Sequence, residues 1–163
     1  MQIKDALGGA ASIAAADGHG GIAMTNRQMS EIVRNQEPLR LPQSATIKEA
    51  CKCMRDRKVG AVLVTDEGDR LVGIFTGRDA VCRVLAMGRN GSKTTLVDVM
   101  TPNPDSMPPR RTAIEALRLM HDGGYRHLPV VEGERIVGVV SRGDFRGLEQ
   151  DRLDEETGVW ERC

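Results

Sequence analysis

Gly73-Ile74-Phe75-Thr76-Gly77-Arg78-Asp79 and Gly138-Val139-Val140-Ser141-Arg142-Gly143-Asp144 say nearly the same thing sixty-five positions apart. Each reads as glycine, an apolar strand end, a hydroxyl residue and an aspartate three places later. The chain is therefore an internal duplication. The match runs upstream: Glu49, Ala50, Met54 and Asp56 correspond to Glu115, Ala116, Met120 and Asp122 at an offset of sixty-six, whereas Arg70, Val72 and Gly73 correspond to Arg135, Val137 and Gly138 at sixty-five. The single deletion falls between Asp66-Glu67-Gly68-Asp69 and Glu132-Gly133-Glu134. Acidic, glycine-containing stretches between β-branched runs read as hairpin turns, and turns absorb deletions.

Apolar residues at 47, 50, 51 and 54, and again at 113, 116, 117 and 120, have the helical i, i+3, i+4, i+7 spacing with one buried stripe. Thr46 with Glu49 and Thr112 with Glu115 form capping boxes at the two starts. Gly60 to Thr65 and Leu71 to Phe75, and their counterparts Arg126 to Val131 and Arg135 to Val140, read as paired strands buried on both faces. A second helix is expected after each hydroxyl residue, from Arg78 to about Met87 and from Gly143 to about Leu153. The proline-bearing stretches 37–42 and 101–109 should be extended and each supply a short strand.

Bulk properties narrow the function. Twenty-three basic residues balance twenty-three acidic ones, which leaves no long-range field to recruit nucleic acid, and Phe75, Tyr125, Phe145 and Trp160 are too few for a base-stacking platform. Cysteines at 51, 53, 82 and 163 lack zinc-site pairing, so reduced thiols in a cytoplasmic protein are expected, and no metal. No apolar run approaches the roughly 18 residues of a membrane span. Residues 1–28 read as a mobile Ala/Gly-rich leader, 29–90 as the first motif, 91–148 as the second, and 149–163 as an acidic tail carrying Trp160. A copy of about 60 residues would be marginally stable alone, so the halves should share a core.

Val97-Asp98-Val99-Met100-Thr101-Pro102, the helix from Thr112 to Met120, Arg126-His127-Leu128-Pro129-Val130-Val131 and the Gly138-to-Asp144 turn together resemble the cystathionine β-synthase (CBS) motif. Two in tandem resemble a free-standing Bateman module, over residues 29–148. The resemblance implies an α+β fold of two βαββα units, related by a pseudo-twofold axis, with sheets packed together and helices outside. It implies adenosine-containing ligands in two clefts between the motifs, AMP, ADP or ATP ahead of S-adenosylmethionine or NAD. A disk-shaped homodimer and a regulated enzyme or transporter are the implied partners.

A strand handing over to a helix start offers free N–H groups that suit phosphate, and an ionised aspartate on the first turn can accept both hydroxyls of a ribose diol. The resemblance implies that role for Thr76 with Asp79 and for Ser141 with Asp144. Arg78 and Arg142 are phosphate candidates beside them. For the base, the resemblance implies Thr101, Pro102, Asn103 and Pro104 with Tyr125, Arg126, His127 and Leu128. Tyr125 is the candidate to stack on adenine, and His127 is read as shaping the pocket, because no nucleophile and acidic orienter can be assigned to it. Copy one has Gly60-Ala61-Val62-Leu63 there and lacks the histidine and proline, so one cleft is expected to differ and to be weak or empty. The competing reading is a ligand-free interaction scaffold in which the hydroxyl–aspartate pairs are helix caps only. Catalysis is not expected, since no paired carboxylates or nucleophile constellation can be placed.

Overall fold

The computed structural model describes residues 26–145 together with Gly147 and Glu149. The expected leader up to residue 25 and nearly all of the tail, Trp160 included, lie outside the described residues. In chain order the elements are α1 (Met29–Ile32), β1 (Arg40–Pro42), α2 (Ile47–Arg57), β2 (Ala61–Thr65), β3 (Leu71–Thr76), α3 (Gly77–Asp79), a π-helical stretch (Ala80–Leu85), α4 (Leu96–Val99), β4 (Thr101–Pro102), α5 (Ala113–Gly123), β5 (His127–Glu132), β6 (Arg135–Ser141) and a 3₁₀ turn (Arg142–Asp144).

Both capping boxes form. Thr46 Oγ1 accepts from Glu49 N–H while Glu49 accepts from Thr46 N–H, and Thr112 and Glu115 repeat the exchange. Each satisfies two otherwise orphaned donors at its helix start. Both helices end on a left-handed residue, Lys58 at φ 55° and Gly124 at φ 69°. Only the second uses glycine, for which that conformation carries no Cβ penalty.

β2 and β3 form an antiparallel hairpin with Ala61 opposite Thr76, and β5 and β6 form its counterpart with His127 opposite Ser141. The register makes Ala61 the structural equivalent of His127. β1 lies parallel to β2, and in copy two the bridge from Met107 to Val130 takes the place of that strand. The stretch 101–109 therefore divides: Thr101–Pro102 joins the first copy's sheet opposite Ile74 and Gly73, and Met107 pairs with Val130 in its own copy. The strands also differ in burial. β2 is buried throughout, as expected, but β6 alternates, because one of its faces is only partly covered.

The expected helix after Thr76 begins as one α-turn and then widens into a π-helix, with Ala86 N–H bonding Val81 O at 2.8 Å and Arg89 N–H bonding Val84 O at 2.9 Å. It buries Val84 and leaves Val81, Leu85 and Met87 exposed. Its counterpart after Ser141 opens as a 3₁₀ turn.

Each copy's core is completed by the segment that precedes the other. Met29 and Val33 pack with Leu117, Met120, Leu128 and Val140 of copy two, whereas Leu96 and Val99 pack with Ala50, Val62 and Phe75 of copy one. The crossing is secured by backbone bonds: Met29 N–H to Arg111 O at 2.8 Å and Ala113 N–H to Arg27 O at 2.7 Å on one side, Leu96 N–H to Ala45 O at 2.9 Å and Ile47 N–H to Thr94 O at 3.0 Å on the other. A third cluster of Ala61, Leu63, Ile74 and Ile136, with Leu71 and Val139 against it, lies between the two sheets. This is the α+β arrangement of two sheets packed together that the family resemblance implied. No helix among the described residues is long and apolar enough to cross a membrane.

Candidate functional site

Where β3 and β6 end, the same local chemistry recurs. Thr76 N–H and its hydroxyl both donate to Asp79 Oδ2, at 2.9 and 3.1 Å, and Asp79 N–H returns a bond to Thr76 Oγ1 at 3.4 Å. Ser141 N–H and hydroxyl donate to Asp144 Oδ2 at 2.6 and 3.1 Å. One oxygen of each carboxylate thus fixes its turn, and the capping role is met in both copies.

The other oxygens differ. Asp79 Oδ1 lies 3.4 Å from Arg83 Nε, and its side chain is 15% exposed. Asp144 is exposed, and its Oδ1 has no hydrogen-bond or ion-pair partner among the described residues. From outside the turn, Arg27 donates Nη2 to the Asp144 carbonyl at 3.0 Å and grips the buried Glu149 with Nε and Nη2 at 2.9 and 3.1 Å.

Beside Asp144 opens a cavity of about 300 Å³. Ser141, Val139 and His127 of copy two line it together with the stretches 36–39 and 58–61 of copy one. His127 stands on its inner wall. Burial lowers the His127 pKa below the ordinary imidazole value, Arg126 acts in the same direction, and Asp144 and Asp79 oppose them. The strand register of His127 sets it opposite Ser141, which keeps the ring on the wall it shares with Asp144. A β-carbon at Gly60 would come within 3.0 Å of His127 Nε2, so the glycine leaves the ring its place.

Of the residues expected at a site, the structure gathers Ser141, Asp144 and His127 at this cavity. Arg78 and Arg126 are exposed, and Arg142 is half-buried with its N–H on Arg126 O. Leu128 does not face a cleft: it is fully buried among the copy-two core residues, because the strand alternation that presents His127 turns its neighbour inward. Thr101 and Pro102 are tied into the first sheet as β4, and Asn103 and Pro104 line a separate open depression with Arg70, Leu71 and Glu134. Tyr125 donates its hydroxyl to Asp105 Oδ2 at 2.8 Å, and burial followed by Asp105 raises its pKa well above the usual phenol value. The stretches 36–39 and 58–61 were missed. The repeat offset carried the signal, since 59–62 are the copy-one counterparts of Tyr125 to Leu128.

Comparison with known proteins agrees with this architecture. The CBS domain model matches the chain twice, at residues 29–85 and 96–150. CBS domain-containing protein CBSCBSPB1 of Arabidopsis thaliana is 40% identical over 108 residues, 66% of this chain but 20% of that protein, so the chain spans about a fifth of that relative. Among solved structures, the CBS-domain containing protein ATU1752 from Agrobacterium tumefaciens superposes with a TM-score of 0.67 at 28% identity, covering 77% of this chain and 92% of the other. The CBS domain protein PAE2072 from Pyrobaculum aerophilum, complexed with AMP, gives a TM-score of 0.70 at 24% identity, covering 79% and 99%. With two motif matches laid over two copies of one hairpin-and-helix unit, the chain belongs to the CBS domain family as a tandem pair of motifs.

Proposed function

We propose that this CBS pair is a regulatory module that binds an adenosine-containing nucleotide, AMP, ADP or ATP, beside Asp144. The observation that carries the reading is the composition of the cavity: its walls come from both copies, and at its edge stands Asp144, whose Oδ1 has no hydrogen-bond or ion-pair partner among the described residues. A volume of about 300 Å³ lies at the small end of ordinary ligand sites, which run from roughly 300 to 1,000 Å³. Asp144 accepts from the ribose hydroxyls, and the apolar Pro38, Leu39, Val59 and Ala61 offer a slot for the base. The AMP complex of a protein with this fold supports the choice of ligand class.

A ligand there touches both halves, so it binds one relative arrangement of the copies better than another. That differential affinity is what regulation requires. The output is a change in homodimer geometry or in affinity for a regulated enzyme or transporter. Val81 and Leu85 on the helix after Asp79, with Met87 in the turn that follows, at 56%, 72% and 68% exposure, offer apolar surface for a second copy.

Calorimetric titration with AMP, ADP, ATP, S-adenosylmethionine and NAD tests this. Heat from at least one adenine nucleotide is expected, and silence from all five sinks the reading. The alternative, a ligand-free scaffold, draws on the capping geometry realised at both turns. It requires Asp144→Asn to lower stability without altering any nucleotide response.

A further inference from the structure

The pseudo-twofold relation predicts two clefts, but the residues at matching positions are not equivalent. Register fixes the correspondence: Lys58 and Gly124 both end their helices left-handed, which pairs Val59 with Tyr125. Leu41 faces Val64 as Met107 bridges Val130, which pairs Leu39 with Asp105. Leu39 and Val59 line the open cavity beside Asp144. Their counterparts are the aspartate and tyrosine that bond each other at 2.8 Å. Where one copy contributes two apolar side chains to a slot, the other has a polar clasp at the matching positions.

The carboxylates differ in the same sense. Asp79 has Thr76 on one oxygen and Arg83 at 3.4 Å from the other, and Arg83 is itself anchored through Nη1 to Val99 O at 3.0 Å. The position matching Arg83 in copy two is Leu148, which cannot make such a pair. A ribose diol reaching Asp79 has to displace a guanidinium, whereas no described residue has to be displaced from Asp144 Oδ1.

We propose that the two clefts are functionally unequal: the cleft beside Asp144 takes the nucleotide, and the cleft beside Asp79 is latched shut by Tyr125–Asp105 and Asp79–Arg83, so that one nucleotide binds per chain. The inference rests on the nucleotide-binding reading above. It adds specificity residues, Tyr125, Asp105 and Arg83, that act by exclusion.

Stoichiometry by calorimetry decides it, with AMP, ADP and ATP as probes. Wild type should titrate with one nucleotide per chain. Asp144→Asn should weaken binding at least tenfold, while Asp79→Asn should bind within twofold of wild type. The double variant Tyr125→Phe, Arg83→Met should titrate with two per chain. Cooperative thermal unfolding of the same proteins without nucleotide verifies that each variant is folded. Two equal sites in wild type, a matching loss in Asp79→Asn, or a stoichiometry of one in the folded double variant overturns the latch and leaves nucleotide binding standing. Silence from all three probes overturns nucleotide binding itself, and the latch with it.

Discussion

Val33 crosses Gly138 so closely that a β-carbon built on the glycine would lie 2.7 Å from the valine's own Cβ. The same crossing brings Gln36 Oε1 to accept from Val139 N–H at 2.9 Å. Gly73, the equivalent glycine of copy one, is covered in turn by Met100. Both motif glycines are therefore explained by the exchange of flanking segments between copies, with no ligand needed to account for them.

Gly138→Ala should destabilise the protein by about 1–3 kcal/mol, the usual range for forcing atoms into a packed contact, because Val33 Cβ is fixed to its backbone. Gly73→Ala meets the sulfur end of Met100, which has rotamers to move into, and should cost less. Urea unfolding of both variants checks the order. A larger loss in Gly73→Ala would contradict it.

Arg27 and Glu149, 122 positions apart, form a two-pronged ion pair with Glu149 fully buried. At the matching positions of the other crossing stand Thr94 and Val84, both buried. Arg27→Met withdraws two charge-assisted hydrogen bonds from a buried carboxylate and should cost about 1.5–3 kcal/mol, and Arg27→Met with Glu149→Leu should recover most of it. A double-mutant cycle by chemical denaturation measures this. An additive double variant would show that the pair is not coupled.

The local rules were readable from residues alone. Thr46 with Glu49 and Thr112 with Glu115 announced their helices, and the offset between Gly73 and Gly138 announced the duplication, because caps and repeats are encoded within a few adjacent positions. What escaped depends on contacts across the chain. Nothing near Met29 or Leu96 says that each will complete the opposite copy's core. The cleft beside Asp144 was hidden for the same reason: its base slot lies about a hundred residues upstream in the first copy. β6 reads as a continuous apolar run, and its alternating burial reflects what the other sheet covers rather than its own composition.

Thr112→Ala removes the acceptor for Glu115 N–H and one donor to the Glu115 carboxylate, and should cost about 1 kcal/mol. Hydrogen bonds from Thr112, the backbone N–H foremost, hold the Glu115 pKa below the ordinary value. A depressed carboxylate stabilises the fold above its unfolded pKa and loses that contribution as pH falls through the folded one. Thr112→Ala should therefore be less acid-sensitive below about pH 4.5 than wild type. Midpoints of urea unfolding at pH 7 and pH 3.5 provide the test, and an unchanged difference between the two counts against it.

His127 should impose a boundary of the same sign, nearer neutrality. Its folded pKa is lowered from 6.5, chiefly by burial, with Arg126 adding to the effect and Asp144 and Asp79 opposing it. Below pH 6.5 the unfolded chain takes up a proton that the folded chain resists. The stability contribution of the neutral ring is therefore complete above pH 6.5, declines as pH falls towards the folded pKa, and declines no further below it. His127→Gln, which keeps a polar group of similar reach, removes that titration. The thermal midpoint of wild type should fall between pH 7.5 and 5.5 more steeply than that of His127→Gln, and parallel pH profiles would show that the ring's burial is not coupled to folding.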